Sequence, residues 1–243
     1  RPVRISVHLH PYGDGRTLLL SQDVTALEQA DAMRRDFVAN VSHEIRTPLT
    51  VLAGFVETLQ TLALNADERA RYLGMMAQQA LRMQSVVQGL LTLSRLEGSP
   101  LPGMVEWIPV QTLLDRGEEE GRALSVLLTQ AQQRPHVMQF PAADGSQLLG
   151  DIAGAPTELQ SALSNLISNA VRYTPAGGTI TVQWLRNADG SAVFSVSDSG
   201  PGIAPEHIPR LTERFYRVDR SRSRDTGGTG LGLAIVKHVL QRH

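Results

Sequence analysis

His43 and Glu44 stand together in the stretch FVANVSHEIRTPLT (37–50), with Thr47 one helical turn on and Pro48 directly after it. An imidazole beside a carboxylate suits nucleophilic chemistry: the carboxylate polarises the ring, and a ring nitrogen attacks. A phosphoryl group is the electrophile we expect, and the rest of the chain must then bind its donor. Most lone histidines on helices are core or plain surface residues, so the phase of this helix decides. Val38, Val41, Ile45, Pro48, Leu52, Phe55, Leu59 and Leu62 step by three and four alternately, a heptad pattern. With Val38 and Ile45 inside, His43 falls outside. Pro48 has no N–H to offer the carbonyl of Glu44, so a bend beside the histidine is expected.

Three later groups bear on the donor. Asn165 and Asn169 lie four apart, on one face of a helix. Their amide oxygens are hard neutral ligands of the kind Mg²⁺ takes, although surface asparagines are the commoner case. The run Asp198-Ser199-Gly200-Pro201-Gly202 follows a strand. It is a good turn, and it also offers a carboxylate for an exocyclic amine and glycines that let a ligand approach. Gly227-Gly228-Thr229-Gly230-Leu231-Gly232 precedes an apolar helix, where free amides and the helix dipole can cradle phosphate. No strand leads into it and no lysine sits where a P-loop needs one. Between the last two groups run Arg214, Arg217, Arg220, Arg222 and Arg224, cations that a flap can hold over phosphates. Only Phe215 and Tyr216 are at hand to stack on bases, which argues against a nucleic-acid patch.

The elements that must position these residues follow from periodicity. Val3, Ile5, Val7 and Leu9 alternate as a half-buried strand, a turn covers 11–15, and 17–20 makes a second strand. A second heptad stripe through Leu73, Met76, Ala80, Met83, Val87 and Leu90 pairs with the first across a break at Asn65. Residues 98–109 are rich in proline and glycine and read as a linker. Beyond it we expect a helix over 110–133, strands at 137–140 and 147–151, a turn at 142–146 and a helix over 156–173. Strands over 179–185 and 192–198 follow, joined by a turn at 187–190, and a last helix covers 231–240.

Composition sets outer limits. The chain has 243 residues, a net charge of −1, 42% hydrophobic and 19% charged residues, and no cysteine. That content is normal for a folded domain or two. Disulfides, thiolate zinc sites and cysteine nucleophiles are excluded. No apolar run approaches the roughly 20 residues of a membrane span, and the N-terminus has no signal-peptide pattern.

In this order the groups resemble the histidine kinases of two-component signalling. FVANVSHEIRTPLT is similar to their H box, NLISNAVRYT (165–174) to the N box, DSGPGI (198–203) to G1, ERFYRVD (213–219) to the F box and GGTGLGLAIVK (227–237) to G2. Within the family the C-terminal run is most similar to the phosphate-regulon sensor kinases. The resemblance implies a multidomain chain. An all-α dimeric four-helix-bundle (DHp) domain at 26–97 is followed by an α+β two-layer sandwich ATP-binding domain of the GHKL type at 110–243. Residues 1–25 would be the β remnant of a PAS-like sensor domain. The family's ATP domain continues with two further strands, so truncation at its C-terminal end is expected.

The resemblance also implies roles. His43 would be the phosphoacceptor, Glu44 its base, and Thr47 the hydroxyl that orients water when the partner is dephosphorylated. Asn169 would hold Mg²⁺. Asn165, Arg172 and Tyr173 would line the ATP site, and Asp198 would take the adenine amine. Gly200, Gly202 and Ile203 belong to the same turn. Arg217, Gly228, Thr229, Gly230, Leu231 and Gly232 would close over the phosphates. Implied cofactors are ATP and Mg²⁺. Implied partners are a second copy through 26–97 and a response-regulator receiver domain, with no nucleic acid and with membrane contact only through segments outside this chain. Such a chain is the cytoplasmic portion of a bacterial inner-membrane protein. An ATPase clamp or a non-catalytic dimeric scaffold are the alternatives, and a clamp has no use for His43 and Glu44.

Overall fold

Thr25 opens a helix of 37 residues, α1 (Thr25–Thr61), and the N–H of Thr25 is held by Asp23 Oδ1 at 2.9 Å. The computed structural model describes residues 3–13, 15–103, 106–141, 150–187, 189, 191–218 and 228–243. The contacts divide the chain into two units, 1–79 and 80–243. Among the described residues no helix is long and apolar enough to cross a membrane.

In the first unit, β1 (Ile5–Tyr12) pairs antiparallel with β2 (Arg16–Asp23). The hairpin was expected to be half-buried. Instead Val3, Ile5, Val7 and Leu9 are all more than half exposed, because a two-stranded ribbon has no layer of its own to pack on. α1 runs unbroken through Pro48. Its heptad stripe is covered from Val41 to Leu59, with Pro48 fully buried, while Val38 and Leu62 at the two ends lie open. α2 (Ala66–Gly98) starts with a reciprocal cap: Glu68 N–H donates to Asn65 Oδ1 at 2.9 Å, and Asn65 N–H to Glu68 Oε2 at 3.0 Å. Half of the expected stripe on α2 is displaced by one residue. Met76, Met83 and Leu90 are covered as expected, but Leu73, Ala80 and Val87 are exposed, and Tyr72, Gln79 and Val86 take their places on the covered face, with Leu93 beyond. Tyr72 meets Phe55 at a tilt, with ring centroids 5.6 Å apart, which fits that phase.

The second unit holds the rest of α2 and an α/β layer pair. Its helices are α3 (Val110–Thr129), α4 (Pro156–Tyr173) and α5 (Gly232–Arg242), with α4 packed against both others and the sheet. The strands are β3 (Trp107–Pro109), β4 (Val137–Gln139), β5 (Asp151–Ala153), β6 (Thr179–Arg186) and β7 (Ala192–Asp198). β4 lies parallel to β6, and β7 antiparallel to it; β3 and β5 form a separate antiparallel pair. The core joins Val110 and Leu114 of α3 to Ile167, Ala170 and Val171 of α4 and to Ile180, Val182 and Trp184 of β6. Trp107–Pro109, expected to be linker, is thus strand. α3 stops four residues short of the expected end, and α5 starts one residue later and runs two residues further than expected. The expected strand at 147–151 is seen only from Asp151. The turn at 142–146, half of the turn at 187–190, and Arg220, Arg222, Arg224 and Gly227 lie outside the described residues.

α3 comes close to α4 because Gly117 and Gly121 face it. A Cβ on either would stand 2.7 Å from a methyl of Ile167. Gly121→Val therefore overpacks this contact. We expect a loss of roughly 1–3 kcal/mol, read as a lower denaturant midpoint at unchanged slope.

Candidate functional site

His43 is exposed, Glu44 half-buried and Thr47 exposed, while Pro48 is buried behind them. The phase read from the heptads thus places the imidazole outward. Thr47 Oγ1 donates to the His43 carbonyl at 3.1 Å, an i−4 bond that parks the hydroxyl one turn from the imidazole. The next carbonyl in line, that of Glu44, has no helical donor because Pro48 stands opposite it.

In the second unit, α4 carries Asn165 and Asn169, both half-buried. Asn165 Nδ2 donates to the Ser161 carbonyl at 2.7 Å, and its Oδ1 lies where a Cβ on Gly232 would be, at 2.6 Å. Asn165 therefore packs closely on the first residue of α5, where only a glycine leaves room for it. Arg172, half-buried on the last turn, has its pKa pushed below the usual arginine value by desolvation, partly offset by Tyr173. The hydroxyl of Tyr173 stands 3.3 Å from where a Cβ on Gly228 would be, so this helix end and the start of the glycine run face each other.

The turn after β7 meets the same helix end. Gly200 N–H donates to Asp198 Oδ1 at 2.8 Å, and a Cβ on Gly200 would sit 2.8 Å from the Tyr173 carbonyl. Gly202 has φ +72° with open space around it, and Ile203 is half exposed. Asp198, Tyr173, Gly200 and Gly228 are thus brought together.

The glycine run is anchored at Phe215, whose φ of +62° is unusual for a large side chain and whose N–H donates to the Gly230 carbonyl at 2.8 Å. Gly230 has φ +70°, and a Cβ there would lie 2.9 Å from the Phe215 backbone. Arg217 is half-buried in the same segment. Tyr216 is held by His207 Nδ1 at 2.7 Å and by the Arg210 guanidinium, 4.2 Å above its ring. Thr229 Oγ1 accepts from Leu231 N–H at 3.3 Å. Leu231 itself is fully buried, with its Cδ1 2.9 Å from where a Cβ on Gly89 of α2 would stand. It is a core residue and not an open part of the glycine run.

Several residues that hold this site, Glu97, His238, Arg242 and Glu158, were not singled out by pattern. Arg214, expected among the flap cations, pairs with Glu97 on α2, and His238 Nε2 is 3.5 Å from the same carboxylate. Desolvation, with Arg214 and Lys237 nearby, lowers the His238 pKa. Arg242 Nε and one terminal nitrogen bind the two oxygens of Glu158 at 2.9 and 3.1 Å. Its terminal nitrogens also donate to the carbonyls of Leu96, Ser99 and Pro100 at 2.6, 2.9 and 2.7 Å. The available signal was a basic residue in the last turn of α5 and an acid in the first turn of α4. A groove of about 280 Å³ between α3 and α4 shares only Asn165 with the residues predicted from sequence.

Residues 33–99 match the His Kinase A (phospho-acceptor) domain family, and residues 154–243 match the family described as histidine kinase-, DNA gyrase B- and HSP90-like ATPase. The phosphate regulon sensor protein PhoR of Pseudomonas aeruginosa is 49% identical over 242 residues, covering 99% of this chain and 52% of that protein. The sensor-like histidine kinase SenX3 of Mycobacterium tuberculosis is 38% identical over 222 residues, covering 91% and 51%. Among solved structures, full-length ShkA in complex with AMPPNP matches at TM-score 0.54 and 27% identity, over 85% of this chain and 41% of that one. The chain spans about half the length of these curated relatives. Two matched domains in this order, on a helical region followed by an α/β domain, show that the chain belongs to the PhoR-like sensor histidine kinases.

Proposed function

We propose that the protein is an ATP-dependent histidine autokinase that passes its phosphoryl group to an aspartate of a response regulator and also helps to remove it. The observation that carries this is the outward His43 with Glu44 beside it and Thr47 one turn on. ATP supplies the phosphoryl group, and Mg²⁺ offsets charge on the phosphates.

The residues present fit such a ligand. Gly202 opens onto free space beside Asp198, whose carboxylate is oriented by the Gly200 amide and suits an exocyclic amine. Among the described residues there is no His, Cys, Asp or Glu cluster able to hold a metal on its own. A single Asn169 oxygen, completed by phosphate oxygens and water, is the kind of site Mg²⁺ accepts. Gly228, Thr229, Gly230 and Gly232 offer backbone at the start of α5, where the dipole favours phosphate, and Leu231 anchors that start in the core. Arg172, Tyr173 and Arg217 border the same space. Asn165 positions α5, and Ile203 flanks the adenine end.

On the other unit, Glu44 takes up the proton side of the imidazole, so that a ring nitrogen of His43 is free to attack. Thr47 orients water for the reverse service to the regulator. Residues 26–97 would form the dimerising region, 99–106 a linker and 107–243 the catalytic domain, with 1–25 closing a PAS-like domain. Exposed Leu49, Val51, Val56, Leu73 and Leu81 along α1 and α2 support a second copy as the partner that covers them. The likeness to PhoR supports a phosphate-regulon regulator and an inner-membrane parent protein.

The experiment is direct. Incubated with γ-labelled ATP and Mg²⁺, the chain should gain an acid-labile, base-stable label and lose it to an added receiver domain. A chain that binds ATP but never labels would overturn the kinase reading.

A further inference from the structure

His136 is a buried histidine that none of the roles above uses. It directly precedes β4, is 7% exposed, and all its polar atoms but the carbonyl are engaged in three bonds. Its N–H donates to Ser125 Oγ at 3.0 Å, its Nδ1 lies 2.8 Å from the same hydroxyl, and its Nε2 lies 2.9 Å from the Thr174 carbonyl. A carbonyl can only accept, so Nε2 carries a hydrogen and donates it to Thr174, while Nδ1 and the backbone N–H share the Ser125 hydroxyl. Ser125 and Thr174 are themselves buried, at 2% and 6% exposure.

Thr174 caps α4, its N–H and hydroxyl both donating to the Ala170 carbonyl at 3.0 and 2.6 Å. The residue before it, Tyr173, presses its carbonyl on Gly200, and Gly200 N–H orients Asp198. On the other side Gly178 is wedged against Thr174 Cγ2 and Ser199 Oγ, and that hydroxyl accepts from Thr179 N–H at 2.9 Å. One imidazole thus ties α3 to the backbone on which the Asp198 turn rests.

We propose that His136 is a positioning residue for the adenine end of the nucleotide site, fixing the 173–174 backbone against Gly200 and so aiming the Asp198 carboxylate. This rests on the reading of the second unit as an ATP site. A nitrogen–carbonyl bond in place of ordinary apolar packing makes the position directional: a side chain of equal bulk would fill the space without holding Thr174.

The test uses the full chain and a fluorescent ATP analogue. His136→Phe should fold, by circular dichroism and cooperative unfolding. It should bind the analogue about tenfold more weakly and prefer ATP over GTP less. Labelling of His43 at saturating ATP should change by less than about threefold, since Asp198 touches the base and not the phosphates. His136→Gln, whose amide can reach the Thr174 carbonyl, should recover most of the affinity. Nitrogen NMR of the unsubstituted chain should show a hydrogen on Nε2. Unchanged affinity in a folded His136→Phe chain overturns the inference alone; absence of analogue binding to the unsubstituted chain overturns the ATP site with it. If His136→Phe does not fold, Ser125→Ala decides. It removes the hydroxyl that ties the ring to α3 and should weaken analogue binding, and unchanged affinity in the folded variant overturns the inference.

Discussion

A chain carrying His43→Gln should take up no acid-labile phosphate, while its nucleotide affinity and unfolding stay those of the unsubstituted protein. The imidazole is exposed, so replacing it leaves no cavity and strands no buried polar group. A glutamine amide nitrogen has no free lone pair with which to attack phosphorus, and losing a covalent nucleophile typically costs on the order of a thousandfold or more. The measurement is label retained after base treatment, alongside analogue binding and a denaturation curve. Label that persists in this variant would place the nucleophile elsewhere and sink the role given to His43.

Arg242→Ala should have the largest effect on stability. All five donors of the guanidinium are engaged: two on Glu158 and three on the carbonyls of Leu96, Ser99 and Pro100. The two side chains are only 9% and 18% exposed. Removing the arginine leaves a largely desolvated carboxylate and three carbonyls without their donor. Breaking a buried pair from one side costs roughly 3–5 kcal/mol. At about 2–4 °C per kcal/mol for a unit of this size, the melting temperature should fall by about 6 °C or more. Glu158→Gln should cost less, because an amide oxygen can still accept from the fork. A drop below about 1 °C for Arg242→Ala would show that water replaces these bonds without loss.

The helices and the longer strands were legible wherever burial imposes a period. Pro156–Tyr173, Thr179–Arg186 and Ala192–Asp198 were all readable because each packs one face on the core. The outward placement of His43 followed from the same logic. The α2 stripe was half misread, by one residue, because its apolar positions spread over two faces, and the choice between Tyr72 and Leu73 depends on Phe55 across the turn. Trp107–Pro109 was taken for linker since three residues carry no period, and what makes them a strand is β5, more than forty residues later. Of the site, the glycines and asparagines were visible by type. That Leu231 is core and Asn165 packs on Gly232 depends on which helix lies opposite, which spacing does not encode. Arg242 and His136 were silent for a related reason, as three of the five bonds of Arg242 and the Nε2 bond of His136 go to carbonyls, and every residue has one.

The parallel register of β4 on β6 carries a consequence for the order of assembly. It joins residues 42 positions apart, as in the bond from Thr181 Oγ1 to Gln139 Oε1. A parallel crossover gains no strand contact until the whole connecting loop, α4 included, has been closed, so its entropy is lost before any pairing returns it. The α1–α2 turn closes over a few residues and needs no such wait. The surface proposed for the nucleotide, built on the end of α4 and the edge of that sheet, is therefore among the last parts of the molecule to form, after the helix that carries His43 is already in place.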